Sequence, residues 1–168
     1  MARRDDVWLR ELYDAQWVPM VRLATLLLGS SDTAEEIVQD ALVAVYQRRS
    51  HFESLEHAQA YLRVAVVNRT RSAHRHRVVA HRYLADSGPE TASPEQLAAD
   101  HETSSEVLGL VDSLPQRQRE VLVLSFYLDL SEADIADTLG ISRGAVRSHA
   151  HRGLQAVRTG RGEGSGHD

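Results

Sequence analysis

The sequence predicts an all-α protein made of two small helical domains joined by a flexible linker, with a helix-turn-helix as the C-terminal domain. Hydrophobic residues make up 42% of the 168 residues and aromatic residues only 5%, so small aliphatic side chains must fill the cores. This composition favours helices over an all-β sandwich. Apolar residues also recur at helical spacing on both sides of a segment rich in proline, glycine and acids. The chain has no cysteine, which excludes disulfides, thiolate zinc sites and cysteine nucleophiles.

Composition predicts where the domains end. Two prolines, a glycine and small polar residues occupy 86–95, which is typical of a linker. We therefore expect an N-terminal domain at 5–82, a linker at 83–106 and a C-terminal domain at 107–159. Because four glycines fall among the last nine residues, a disordered tail is expected at 160–168.

Three helices are predicted in the N-terminal domain. The clearest has apolar residues at i, i+3, i+4, i+7, i+8 and i+11, namely Ala34, Ile37, Val38, Ala41, Leu42 and Val45. Asp32 and Glu35 resemble a capping box, so this helix should begin at about Thr33. The preceding helix has the pattern Leu9, Leu12, Tyr13, Trp17, Met20, Leu23 and Leu27. Pro19 should kink or split it. A third helix is predicted from Glu56 to about Arg82, apolar in its first half and basic in its second.

Charge is distributed very unevenly along the chain. The net charge is −5 and all nineteen basic residues are arginine. Residues 61–82 hold six arginines and 142–161 hold five, both without an acid, whereas 83–116 holds seven acids. On the third helix Arg71, Arg75 and Arg82 share one side, where they repel one another unless an anion lies across them. A solvated helix end is the ordinary interpretation, and a nucleic-acid backbone is the functional one.

The segment 131–152 has the pattern of a helix-turn-helix. Ser131 should cap a short helix that buries Ile135, Ala136 and Leu139, and Gly140 permits the positive φ of a tight turn. Ile141 should anchor the turn, Ser142 should cap the second helix, and Val146 should face inward. The outward residues of the second helix are Arg143, Arg147, Ser148, His151 and Arg152. Such a helix can enter a major groove, although a purely structural hairpin would share part of the pattern.

Histidine spacing argues against a metal site. The pairs His74/His76 and His149/His151 are each two residues apart, which points the two imidazoles away from each other on a helix. We therefore expect no metal and no cofactor. An enzyme is also disfavoured, because the sequence has no phosphate-cradling glycine loop and no nucleophile with a correctly spaced base.

Three segments in order resemble one known family. They are AEEIVQDAL (34–42), AYLRVAVVN (60–68) and LPQRQREVL (114–122) followed by the helix-turn-helix. Together they resemble the extracytoplasmic-function (ECF, group IV) RNA polymerase sigma factors of the sigma-70 family, and the SEADIA segment at 131–136 is similar to the SigE-like actinobacterial subset. The resemblance implies an alternative sigma factor that directs promoter-specific transcription initiation. A LuxR-type transcription activator would share the C-terminal segments, but its N-terminal domain would contain strands.

The resemblance also implies roles for individual residues. Glu36, Gln39 and Asp40 fall on the helix that binds core RNA polymerase at the clamp helices of the largest subunit. The −10 element would be read by Asn68, with Arg71 and Arg75 beside it and Phe52 near a flipped base. The −35 element would be read by Arg143, Arg147, Ser148, His151 and Arg152, in a domain that docks on the flap of the second-largest subunit. We further expect a cytoplasmic protein that is a monomer when free, has no membrane association and can have an anti-sigma factor as partner.

Overall fold

The computed structural model of the chain describes residues 2–83 and 108–164, with side chains described for 7–83 and 108–160. The chain divides into two compact units, Met1–Glu90 and Thr91–Asp168. The described residues form helices and turns and no strand, which confirms the all-α fold class. Apart from Tyr83, the predicted linker at 83–106 lies outside the described residues.

The N-terminal unit is a bundle of three α-helices. They are α1 (Ala2–Leu28), α2 (Ala34–Gln47) and α3 (Leu55–Tyr83), with a 3₁₀ turn at Arg49–His51 between α2 and α3. Each helix packs against the other two. The fully buried side chains at their centre are Leu12, Leu23, Val38, Val45, Leu62, Val66 and Val67.

The apolar stripe of α2 is confirmed, but its predicted capping box is wrong. All six stripe residues from Ala34 to Val45 are buried. The helix begins one residue later than a capping box requires, with Thr33 at the N-cap and no side-chain cap. The backbone N–H of Asp32 donates to Ser30 Oγ at 3.3 Å, so Asp32 belongs to the preceding turn. Glu35 and Glu36 lie in the first turn, where the positive end of the helix dipole interacts favourably with their carboxylates.

Pro19 does not split α1, which is continuous from Ala2 to Leu28. A proline inside a helix removes one backbone hydrogen bond and costs about 3 kcal/mol. Burial on both sides of it offsets that cost, since Leu12 and Leu23 are fully buried and Met20 is 3% exposed. Tyr13 was predicted on the apolar face but is 45% exposed. Its ring stacks on Trp17, with the ring centroids 5.1 Å apart.

The change of polarity along α3 is confirmed. Its buried residues all lie between Ala58 and Thr70, and none lies beyond. The basic half is joined to α1, because Arg77 Nη1 donates to the carbonyl oxygen of Leu28 at 3.4 Å. A cation at the last carbonyl of a helix is favoured by the helix dipole.

The C-terminal unit is a second helical bundle. Residues 108–112 form α4, followed by α5 (Gln116–Phe126), α6 (Glu132–Leu139) and α7 (Arg143–Gly164). The helices α5, α6 and α7 pack pairwise. Their core includes Val121, Leu124, Ile135, Leu139 and Val146, all at most 5% exposed.

A disordered tail was predicted at 160–168, and α7 extends to Gly164. Residues 165–168 lie outside the described residues. Gly160 is in close contact with α4, since a Cβ at this position would lie 2.6 Å from Leu110 Cδ2. The absence of a Cβ at Gly160 therefore permits close packing of α7 on α4.

Gly153 on α7 is where we expect a substitution to destabilise the C-terminal unit. A Cβ there would lie 2.9 Å from Leu122 Cδ1 and 3.2 Å from Leu122 Cγ, and Leu122 is itself buried. Gly153→Val is therefore expected to lower the free energy of unfolding by about 1–3 kcal/mol. In the matched control Gly144→Val, the nearest atom to the new Cβ is Ser142 Oγ at 3.8 Å. This control should change stability by less than about 0.5 kcal/mol. Calorimetric unfolding of the two variants checks the difference, and equal melting temperatures would contradict the close packing of α5 and α7.

Candidate nucleic-acid interface

The predicted helix-turn-helix is formed by α6, a tight turn and α7. Ser131 Oγ accepts a hydrogen bond from the Asp134 N–H at 3.1 Å and so caps α6. Gly140 ends α6 in the left-handed conformation with φ of 66°. After the turn, Ser142 Oγ accepts from the Ala145 N–H at 3.0 Å and caps α7. The two serine caps and the turn glycine are confirmed as predicted.

The structure places all five predicted outward residues of α7 on the surface. Arg143, Arg147, Ser148, His151 and Arg152 are each exposed. On the inner side of the same helix Val146 is only 2% exposed. The geometry therefore offers a polar, cationic helix face of the kind that enters a major groove.

Contacts of two arginines on this face were not predicted from the sequence. Arg147 Nε donates to Glu132 Oε2 at 2.8 Å. Arg152 Nε donates to the carbonyl oxygen of Ser148 at 3.3 Å, one turn earlier in α7. Glu132 and Arg147 are fifteen residues apart, so only the folded turn shows that they meet.

Two polar networks fix α5, on which α7 packs. Glu120 is 3% exposed, and it accepts hydrogen bonds from Arg117 at 2.9 Å and from Gln116 at 3.2 Å. Arg119 donates to the carbonyl oxygens of Val111 and Asp112 and lies 3.8 Å from the Asp112 carboxylate. Burial raises the pKa of Asp112, and the positive charge of Arg119 only partly opposes this shift. Arg119 and Glu120 were predicted only as part of a family motif. In the structure Arg119 joins α5 to α4, whereas the donors to Glu120, Gln116 and Arg117, belong to α5 itself.

His149 gives the C-terminal unit a pH dependence that can be tested. Its Nδ1 is buried without a hydrogen-bond partner in the described part of the chain. Burial lowers the pKa of His149 below its usual 6.5, and the charges of Arg152 and Arg117 lower it further against the opposing effect of Glu120. The unfolded chain therefore binds this proton at higher pH than the folded chain, so stability is lost as pH falls below about 6.5.

The melting temperature of the wild type is expected to fall between pH 7 and pH 5. In the His149→Gln variant it should fall less over the same range. His151→Gln is the control, because His151 is exposed on the same helix. Equal pH dependence in the wild type and the His149→Gln variant would show that His149 does not produce the effect.

In the N-terminal unit the structure brings Asn68, Arg71 and Arg75 onto one face of α3. Their spacings of three and four residues place them on successive turns. Asn68 and Arg75 are exposed, and Arg71 is partly exposed. Arg82, further along the helix, is also exposed. This face is cationic, and its arginines lie beyond Thr70, the last buried residue of α3.

Phe52 lies at the other end of α3, in a cluster of rings. Its ring stacks on Trp8 at 6.4 Å between centroids, and it contacts the rings of His57 at 5.5 Å and Tyr61 at 5.3 Å. Tyr61 precedes Asn68 by seven residues, about 10 Å along the helix axis. The structure therefore places Phe52 near the start of α3, and not within the Asn68 face. The sequence contained no signal for the contact with Trp8, which comes from α1.

The exposed side of α2 presents a third surface. The predicted residues Glu36, Gln39 and Asp40 are exposed, and Val43 beside them is 49% exposed. The four residues are spaced three, four and seven apart and therefore share one face. Val43 was not predicted as part of this surface.

An exposed recognition helix in one helical unit and an arginine-rich helix in the other define a helix-turn-helix DNA-binding protein. Comparison with known families makes the assignment specific. The family model "Sigma-70 region 2" matches residues 15–87, and "Sigma-70, region 4" matches residues 104–157. Together with the ECF relatives described next, these matches show that the chain belongs to the sigma-70 family, in its ECF group, and is an alternative sigma factor that directs transcription initiation.

Individual relatives agree with this assignment. The chain is 31% identical to the ECF RNA polymerase sigma factor SigL of Mycobacterium tuberculosis, over 89% of this chain and 86% of SigL. It is 31% identical to the ECF sigma factor SigE of Mycolicibacterium smegmatis, over 82% of this chain and 55% of SigE. The fold is similar to that of the sigma factor RpoE solved with the anti-sigma factor NepR from Bartonella quintana. That match has a TM-score of 0.64 at 21% identity and covers 95% of this chain and 94% of that one.

The LuxR-type alternative finds no support. A LuxR-type activator would need a strand-containing N-terminal domain, whereas residues 2–83 are helical and match sigma region 2. Within the described ranges, no cluster of three histidine or acidic side chains could hold a metal ion. No helix among the described residues is long and apolar enough to cross a membrane.

Proposed function

We propose that this chain joins core RNA polymerase through α2, contacts the −10 element through α3 and reads the −35 element through α7. The observation that supports this most strongly is the recognition helix, which exposes five polar residues on the side opposite the buried Val146. Its serine caps and the turn glycine make the helix rigid before it meets DNA. A rigid helix loses less conformational freedom on binding.

The −35 element is assigned to Arg143, Arg147, Ser148, His151 and Arg152. Arginine can donate two parallel hydrogen bonds to the O6 and N7 atoms of guanine, and serine can contact any base edge. Arg158 is exposed further along the helix. It is assigned to the phosphate backbone, because the helix enters the groove by its N-terminal half.

The −10 element is assigned to the face of α3 formed by Asn68, Arg71 and Arg75. The arginines supply cations for the phosphates, and the exposed Asn68 supplies an amide that can pair with a base edge. Phe52 is assigned to the edge of this site. Its ring lies in a cluster with Trp8 and Tyr61, and an aromatic ring can stack with an unpaired base.

Core polymerase is assigned to the α2 face formed by Glu36, Gln39, Asp40 and Val43. The carboxylates suit a basic surface on the clamp helices of the largest subunit, and Val43 adds apolar area to the contact. The flap of the second-largest subunit is assigned to the C-terminal unit. Because core polymerase is cytoplasmic, we place the protein there, as a monomer when it is free.

An anti-sigma factor is a further proposed partner. RpoE of Bartonella quintana was solved with such a partner, and its fold is similar to that of this chain. A protein that covers the α2 face would compete directly with polymerase.

Reconstitution tests the proposed function. Purified chain mixed with actinobacterial core RNA polymerase should co-elute with it in size-exclusion chromatography. The complex should then start transcription on a subset of genomic promoter fragments that core polymerase alone does not use. A chain that stays separate from core polymerase, or that binds without changing the start sites, would contradict the proposal.

A further inference from the structure

The contact between Glu132 and Arg147 joins the two helices of the helix-turn-helix on their exposed side. Glu132 is the first residue of α6 and Arg147 lies in the second turn of α7. The Nε–Oε2 distance is 2.8 Å, and the two side chains are 67% (Arg147) and 48% (Glu132) exposed. Exposed pairs of this kind contribute little to folding stability. The consequence of this pair therefore concerns which groups Arg147 can bind.

The contact occupies only one of the five N–H donors of the guanidinium. Nε donates to Glu132, whereas no described residue accepts from Nη1 or Nη2 of Arg147. The two Nη atoms present parallel donors at one end of a planar group. This is the arrangement that matches O6 and N7 of guanine. A carboxylate on Nε therefore leaves the base-reading end of Arg147 available.

The backbone at Glu132 is held in a defined position by the cap of α6. Glu132 follows the capping residue Ser131, whose Oγ also donates to Asp134 Oδ2 at 2.7 Å. A carboxylate in the first turn of a helix is favoured by the helix dipole. Pairing with this carboxylate reduces the rotamer freedom that Arg147 would otherwise lose on binding DNA. The negative charge also opposes the approach of a phosphate to the same guanidinium.

We propose that Glu132 is a positioning residue that holds Arg147 toward a single guanine of the −35 element and away from the phosphates. It thereby determines sequence preference without itself contacting a base. This inference rests on the proposed function, because it requires Arg147 to read a base.

The test measures base preference with the full holoenzyme. Transcripts from a promoter library with a randomised −35 region are sequenced for the wild type and for Glu132→Ala. The preference for the base selected by Arg147 should fall about two- to fivefold. Glu132→Gln keeps an acceptor oxygen without the charge. Its base preference should lie between those of the wild type and Glu132→Ala. The double variant Glu132→Ala/Arg147→Ala should have the same base preference as Arg147→Ala alone.

Asp137→Ala is the matched control. Asp137 is exposed on the same helix α6, and its loss changes the net charge by the same amount. It should leave the preference unchanged. If Glu132→Ala and Asp137→Ala change the preference equally, a general charge effect replaces positioning and the inference is overturned.

The remaining outcomes separate this inference from the proposed function. If Arg147→Ala changes the preference and Glu132→Ala does not, the inference fails and the proposed function stands. If Glu132→Ala changes a different base position, Glu132 contacts a base directly and is not a positioning residue. If Arg147→Ala has no effect, the assignment of Arg147 in the proposed function fails together with the inference.

Discussion

Replacing Asp40 by arginine is expected to abolish association with core RNA polymerase while the chain keeps its helical content. Asp40 is exposed in the middle of the α2 face, between Glu36 and Val43. The substitution places a cation where the proposed contact requires an anion, and like charges brought together at an interface cost several kcal/mol. Because the side chain makes no core contact, the circular dichroism spectrum should not change. Co-elution with core polymerase, measured over a concentration series, gives the loss of affinity.

Asp14→Arg is the matched control for this experiment. Asp14 is also exposed, but it lies on α1 beside a cleft lined by Leu9, Arg10 and Tyr13. The same charge reversal there should leave polymerase affinity close to that of the wild type. Wild-type affinity in Asp40→Arg would move the polymerase interface away from α2. Equal losses in both variants would mean that net charge, and not the α2 face, controls association.

Replacing Arg147 or Arg152 by alanine is expected to weaken binding to the cognate −35 element by about 1–3 kcal/mol. The replacement should also relax base preference at one or two positions. Both side chains are on the exposed face of α7 near its N-terminal half. Arg158→Ala should instead weaken binding by a similar factor on all sequences, and lower the salt slope by about one unit at most. Transcription by the holoenzyme from promoter variants at two salt concentrations distinguishes the two behaviours.

Arg158 thus serves as the control for the two reading arginines, since it is an arginine of the same helix. An Arg147→Ala holoenzyme with an unchanged −35 preference would remove Arg147 from the reading set. A sequence-dependent loss in Arg158→Ala would mean that α7 enters the groove further along its length than assumed.

Regular periodicity made much of the fold predictable from the sequence. The stripe from Ala34 to Val45 specifies which side of α2 is buried, because six apolar residues at helical spacing leave no other face for the core. The helix-turn-helix was predictable for a local reason. Ser131, Gly140 and Ser142 each satisfy a backbone requirement within a few residues of themselves.

Features that depend on tertiary contacts were not predictable in this way. Burial on either side of Pro19 keeps α1 continuous, although the residue alone predicts a kink or a split. The glycine-rich end of the chain was expected to be disordered, whereas α7 extends to Gly164 and the absence of a Cβ at Gly160 permits close packing on α4. Glycine can signal either flexibility or close packing, and only the neighbouring helix decides between them.

The candidate sites show the same division. The helical spacing of the sequence predicted which positions of α7 are exposed. The partner of Arg147 was not predictable, because it lies fifteen residues earlier and meets Arg147 only when the turn is folded. Similarly, Phe52 was identified by its place in the family pattern. Its stacking on Trp8 joins α1 to the turn before α3 through a contact that no local pattern encodes.

The most direct test of a sigma factor with two separate DNA-contacting units is transcription from a library randomised in both promoter elements. The wild-type holoenzyme should enrich two sequence elements at a fixed separation. Arg147→Ala should alter only the upstream element, and Asn68→Ala should alter only the downstream element. A single enriched element, or a change in the same element for both variants, would contradict the assignment of α7 and α3 to different parts of the promoter.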